Sequence, residues 1–299
     1  MNPNPPKLTI RVGCHIVYET LNPTPIVLVL RPRRDDRQRV KQERFSLTPG
    51  PLSQEYKDAH GNLTHRAMLQ PGQNVLHHDA LVSVTSLSDS HYQRGFSLPV
   101  DQLPFDVLRY TLPSRYCDSD KLLAFSWQKF GWIIGGLEQV RAICDWTHEN
   151  IQYRFGSGRS DISASDVIQR GYGVCRDFAH VAIALCRALN LPARYVTGLV
   201  PDVGWQDPGT PMDFHAYFEV YLNGNWCPFD ARFNKSRTGR IKVAQGLDAV
   251  DGAFSTIYGE AAMTWFEVWS YQVNPDLVTL DDPVDFSKRL DGTRQVRFR

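Results

Sequence analysis

The sequence predicts an α+β protein, with a β-sandwich first and a helix-and-sheet unit after it. Two observations carry this. Residues 7–95 alternate apolar and polar positions in short runs broken by Pro, Gly, Asn and Asp, the pattern of strands joined by tight turns. Beyond residue 116 the apolar period lengthens to that of helices, and strand-like runs return only after Pro192. Three prolines, Pro99, Pro104 and Pro113, stand between the two regimes. The expected division is a sandwich over 1–98, a linker over 99–116 and a second domain over 117–299.

The first unit offers strand-like runs at 8–18, 25–33, 39–47, 55–60, 63–70 and 74–87, with His60-Gly61-Asn62 marking one tight turn. This spacing suits a small sandwich. In the second unit helices are expected over about 120–130 and 137–153, a short one over 165–169, and a fourth starting at Cys175. Strands are expected at 193–200, 215–222 and 226–230, with more β structure near 240–244. The tail 281–299 is polar and carries no clear pattern.

Composition bounds the function. Of 299 residues, 33 are basic and 32 acidic, so nothing points to nucleic acid or an anionic membrane surface. The basic cluster of Arg31, Arg33, Arg34, Arg37, Arg39 and Lys41 is diluted by Asp35 and Asp36 and reads as a solvated loop and strand. Apolar runs such as 26–30 are strand-sized and too short to cross a bilayer. Six cysteines without a signal-like segment point to free thiols in a cytoplasmic setting. No Cys-x-x-Cys or His-x-x-x-His spacing supports a metal site.

The most informative stretch is 171–190, GYGVCRDFAHVAIALCRALN. Phe178, Val181, Ala182, Leu185 and Leu189 form one helical face, and Asn190 and Pro192 end the helix. Cys175 therefore stands at a helix N-terminus, where the dipole and free N–H groups favour a thiolate and could receive an oxyanion. Downstream, Asn223-Gly224 is a hairpin signal between two strands. With these as the loop, Leu222 faces Asn225, Val220 faces Cys227 and Phe218 faces Phe229, giving one apolar face. The opposite face carries His215, Tyr217 and Glu219 beside Pro228, Asp230 and Arg232. His215 and Asp230 are diagonal neighbours, about 7–8 Å apart at the backbone. Each residue alone has a commonplace reading, the thiol as packing and the other two as ordinary strand or turn residues. Together they suit a nucleophile, a proton shuttle and an orienting carboxylate. His180 lies about 140° around the helix from Cys175 and is expected to serve structure. Arg176 and Asp177 flank the thiol as first-turn residues. Cys14, Cys117, Cys144, Cys186 and Cys227 are expected to be structural.

Several segments resemble the bacterial transglutaminase-like proteins, a family tied to cysteine-protease chemistry. The likeness lies in Gly173–His180 (GVCRDFAH), Pro192–Gly198 (PARYVTG), Asp213–Glu219 (DFHAYFE), Trp226 and Asp230. It also lies in Pro113–Asp120 (PSRYCDSD) and Asp145–Tyr153 (DWTHENIQY). The resemblance implies a papain-like core in which a helix bearing Cys175 packs on a sheet bearing His215 and Asp230. It implies thiol acyl chemistry on a peptide or protein amide, as a peptidase, amidase or transglutaminase, with no cofactor or metal. It also implies Tyr153 as a second oxyanion donor. One departure stands out: Asp230 is followed by Ala-Arg-Phe-Asn, where Pro or a small residue and then Thr are expected. A peptide-binding module without catalysis is the alternative on the same fold.

Overall fold

Alternation along β1 (Lys7–Thr20) buries Ile10, Val12, Cys14 and Ile16 on one side. A computed structural model of the chain describes residues 7–50 and 55–292. In it β1 is followed by β2 (Thr24–Leu28), β3 (Gln38–Thr48), β4 (Glu55–Lys57), β5 (Leu63–Leu69) and β6 (Gly72–Thr85). Then come α1 (Asp89–Tyr92), α2 (Phe105–Leu108), α3 (Leu123–Phe130), α4 (Gly136–Asn150), β7 (Gln152–Tyr153), α5 (Ala164–Arg170), β8 (Tyr172–Gly173) and α6 (Cys175–Ala188). The chain continues through β9 (Ala193–Leu199), β10 (His215–Leu222), β11 (Asn225–Phe229), β12 (Ile241–Gly246), α7 (Ala249–Gly252), β13 (Ser255–Ile257) and β14 (Ala262–Val273). It is a mixed helix-and-sheet fold with a sheet-rich N-terminal region.

Two antiparallel sheets, ordered β14-β1-β6-β3 and β13-β2-β5-β4, form the sandwich. Ile10, Val12 and Ile16 of one meet Ile26, Leu28 and Leu69 of the other in a shared core. The expected boundary at 117 divides the chain differently from the structure. β13 pairs with β2 and β14 with β1, so the chain returns to the sandwich after the second unit. β14 escapes pattern reading because Val268–Tyr271 are buried on both faces. Trp269 and Tyr271 pack against Val278 and Leu280 of the following segment. The tail from 281, whose fold the sequence leaves open, continues this cover where the Asp282 and Pro283 carbonyls accept from Arg11; residues 293–299 lie outside the described residues.

Residues 99–116 also differ from an extended linker. They form helical turns that bury Leu103, Val107 and Tyr110, with Pro99 and Pro104 starting turns, a position proline tolerates. The preceding Phe96 carbonyl accepts from Asn223 N–H at 3.0 Å, and Leu112 and Ser114 accept from Arg187 at 3.1 Å.

The second core is built around α6, which packs on the antiparallel sheet β11-β10-β9-β12 and is flanked by α3, α4 and α5. Every residue from Asp177 to Ala188 is buried, where the sequence suggested a single apolar face. The residues between the expected positions, Ala179, Ile183, Ala184 and Cys186, are themselves small or apolar, so the helix can be enclosed all round. Buried Arg187 is satisfied by the carbonyls of Ala193, Leu247 and Leu112. The Asn223-Gly224 turn has φ of 47° and 82°, both left-handed, as a tight two-residue hairpin requires. Its register is the expected one: Leu222 faces Asn225, Val220 faces Cys227 and Phe218 faces Phe229. Leu199, Phe214, Ile241 and Val243 join the sandwich core, so the sheet is cemented to the N-terminal unit.

Candidate active site

Cys175 is held at the first position of α6 by a short sequence of local constraints. α5 ends at Gly171, whose φ of 72° turns the chain. Parallel pairing of β7 with β8 then sets Tyr153 beside Gly173, with Arg154 N–H bonded to the Gly173 carbonyl at 2.9 Å. Asp177 folds back to accept from Val174 N–H at 2.9 Å, half of a capping box. Only glycine allows this approach, since a Cβ on Gly173 would stand 2.6 Å from the Asp177 side chain. Arg170 completes the turn with a 3.0 Å ion pair to Asp177.

Among the six cysteines, Cys175 alone is partly exposed. Burial pushes its thiol up, but the His215 hydrogen bond and charge and the Ala216 N–H outweigh it, and the pKa is lowered. Burial raises all five others, Cys117 to about 12. One thiol in six is therefore prepared to ionise.

His215 opens β10, and its Nε2 lies 2.7 Å from Asp230 Oδ2, which leaves Nδ1 for the thiol. Burial lowers its pKa, but the Asp230 charge and hydrogen bond and the Cys175 interactions raise it to about 9. Asp230 follows β11 directly. It is held well below the usual carboxylate range, because the His215 charge and hydrogen bond and the Arg240 charge overcome its burial. Its Oδ1 accepts from Phe233 N–H at 3.2 Å, while Oδ2 also accepts from Arg240 Nη2 at 3.1 Å.

Arg240 is the member of the cluster that sequence reasoning missed. It bridges two buried carboxylates, donating from Nε to Asp89 Oδ2 at 2.8 Å and from Nη2 to Asp230 Oδ2, and it lies 4.5 Å over the Tyr217 ring. Asp89 also accepts from the Arg237 amide at 2.9 Å. A residue just past the sandwich thus anchors the cation behind Asp230. No local signal could have found this, since Asp89 and Arg240 meet only in the folded chain.

Tyr153 lies on β7 rather than at the end of the preceding helix. α4 stops at Asn150 because residues 152–154 are drawn into bonds with Gly171 and Gly173. Burial raises its hydroxyl pKa, and Arg232, Cys175 and Asp213 are its charged neighbours. His180 stands apart: its ring stacks on Tyr116 at 5.0 Å, and Nε2 accepts from Ala249 N–H at 3.2 Å. Burial holds it neutral. Arg176 bonds to the Arg159 carbonyl at 2.6 Å and bears on loop geometry. Among the described residues no three His, Cys, Asp or Glu side chains converge to hold a metal ion.

A lowered thiol in line with an imidazole and a carboxylate can attack a carbonyl and return a proton to the leaving group. Residues 131–231 match the transglutaminase-like superfamily core, and residues 20–98 match the bacterial transglutaminase-like N-terminal region. A candidate cysteine protease from Cytophaga hutchinsonii, solved as a crystal structure, is 34% identical. The match covers 91% of this chain and 93% of that one, with a TM-score of 0.79. An uncharacterized protein of Mycobacterium leprae is 25% identical over 236 residues, 75% of this chain and 82% of that protein. No described helix is long and apolar enough to cross a membrane. Matches to both regions and near-complete overlap with the Cytophaga structure place this chain in the transglutaminase-like superfamily.

Proposed function

We propose that the chain performs thiol-dependent acyl chemistry on amides, with Cys175 as nucleophile, His215 as proton shuttle and Asp230 as orienting carboxylate. The observation that supports this most is the His215–Asp230 pair, 2.7 Å from Nε2 to Oδ2, acting on the one thiol whose pKa is lowered. The Cys175 thiolate attacks the amide carbonyl, and the negative oxygen is received by N–H groups at the start of α6 and by the Tyr153 hydroxyl. Protonated His215 gives its proton to the departing nitrogen as the C–N bond breaks, leaving a thioester and a neutral imidazole. Water then yields an acid, as in a peptidase or amidase, and an amine yields a new amide, as in a transglutaminase. The substrate is a peptide or protein amide, and the chemistry needs no cofactor. Six unpaired thiols support a cytoplasmic setting.

The test is brief labelling of native protein with limiting iodoacetamide at about pH 6, where ordinary thiols are protonated. Peptide mapping should find Cys175 modified first, and His215→Ala should slow it. A screen of acyl donors with and without free amine then separates hydrolysis from transfer. Labelling of Cys175 at the rate of an ordinary thiol, unchanged in His215→Ala, would leave the peptide-binding module as the reading.

A further inference from the structure

The departure Ala231-Arg232-Phe233-Asn234, noted in the sequence, puts a cation beside the thiol site. The Arg232 guanidinium carbon lies 3.8 Å from the ring centre of Tyr153 and 4.2 Å from that of Phe233. Tyr153 is paired with Gly173, two residues before Cys175, and the Phe233 ring is 5.1 Å from the His215 imidazole. Arg232 is therefore held between one aromatic from the nucleophile side of the site and one from the histidine side.

Its charge is not neutralised as those of its neighbours are. Arg170 and Arg176 pair with Asp177, Arg237 with Asp202, and Arg240 with Asp89 and Asp230. Among the described residues no carboxylate comes within ion-pair distance of Arg232, and its Nε is buried without a hydrogen-bond partner. Asp213, whose charge is felt at Cys175 and Tyr153, forms no such pair with it. A guanidinium stacked between rings is weakly hydrated and keeps its planar fork of donors, a geometry suited to a carboxylate.

We propose that Arg232 reads the substrate, selecting acyl donors that carry a carboxylate close to the amide under attack. This rests on the thiol acyl-transfer reading above and adds a substrate class to it. Two sources share this chemistry, an acidic side chain and a free chain terminus.

Iodoacetate and iodoacetamide test this without a known substrate, since they alkylate by the same displacement and differ chiefly in charge. The readout is the ratio of their rates at Cys175 in the full chain, which cancels general changes in thiol reactivity. Arg232→Gln should lower the iodoacetate-to-iodoacetamide ratio by about threefold to tenfold, the span for one unit charge several ångströms away in a partly aqueous site. Arg232→Lys should retain most of it. If the Gln variant does not fold, Arg232→Met keeps the apolar stem against both rings and reports the same ratio. A reactive Cys175 with an unchanged ratio overturns the role of Arg232 alone, whereas an unreactive Cys175 in the wild type overturns the acyl-transfer reading. Three peptide sets then separate the sources: Glu beside the amide with a blocked terminus, a neutral peptide with a free terminus, and a neutral blocked one. Preference for either charged set, lost in Arg232→Gln, supports the proposal; equal turnover of all three overturns it.

Discussion

Replacing Asp230 with Asn removes the group that most strongly favours a charged His215, and the structure sets the size of the effect. His215 stands at about 9 against an ordinary value of 6.5, with Asp230 as the leading raising influence over a burial that lowers it. The difference is about 2.5 pH units, or about 3 kcal/mol in favour of the imidazolium. Because the folded pKa is raised, this contribution is fully present below about pH 6.5 and is lost as pH rises through about 9. In Asp230→Asn the Coulombic part disappears, and the new amide N–H groups confront donors from His215 and Arg240. His215 should fall toward 6.5, because burial is then opposed only by the Cys175 interactions. The equilibrium constant for the thiolate–imidazolium pair over the neutral pair should drop by up to about 300-fold, the antilogarithm of 2.5. That is less than the roughly 10⁴-fold loss of turnover in a serine triad, as suits a nucleophile that needs less activation. The assay is Cys175 alkylation by iodoacetamide at about pH 7, mapped by peptide and accompanied by a thermal melt to show that the variant folds. Alkylation within about threefold of wild type in a folded Asn variant would refute the argument, because Asp230 would then not set the charge on His215.

Arg240→Met should destabilise the protein by about 3–5 kcal/mol, read as a fall in melting temperature, because it leaves the buried Asp89 carboxylate without its cation and takes one of two from Asp230. Asp89→Asn in the same background should recover part of that loss, since the stranded charge is then gone. Strictly additive effects of the two substitutions would show that the Arg240–Asp89 contact carries no coupling. Limited proteolysis of the native protein should spare 96–116, whose backbone is tied to Asn223 and Arg187, and cut first in the exposed stretch 206–211. First cleavage within 96–116 would show that those ties do not hold the segment.

The fold was legible where local chemistry decides the structure. Asn223-Gly224 requires left-handed backbone at both positions, so the register of β10 and β11 follows from the turn alone. The six N-terminal strands were marked by turns in the same way. The reading failed where distant elements supply the partner. β14 has no clean alternation because a later segment covers its second face, and its pairing with β1 joins residues about 250 positions apart. The prolines between 99 and 113 read, from sequence, as the mark of a linker. Their effect depends on whether the turns they start have something to pack against, and here Leu103, Val107 and Tyr110 do.

The same distinction runs through the site. Cys175 is set by a helix start, and His215 and Asp230 by one hairpin, so the three residues proposed for bond-making could be named from two short segments. The groups that tune them could not. Asp89 and Arg240 come from separate places, and each matters through what the fold brings beside it, while Tyr153 was named only through the family resemblance. Asp89 belongs to the segment leaving the sandwich, and it reaches Asp230 through Arg240, which shares the Asp230 oxygen that holds His215. An imidazolium and a guanidinium on one carboxylate oxygen repel each other, so the strength of the Asp89–Arg240 bond bears directly on the charge of His215. The N-terminal unit is then part of the electrostatics of the site, and its junction with the second unit is a place where substitutions remote from the thiol should still be felt in its reactivity.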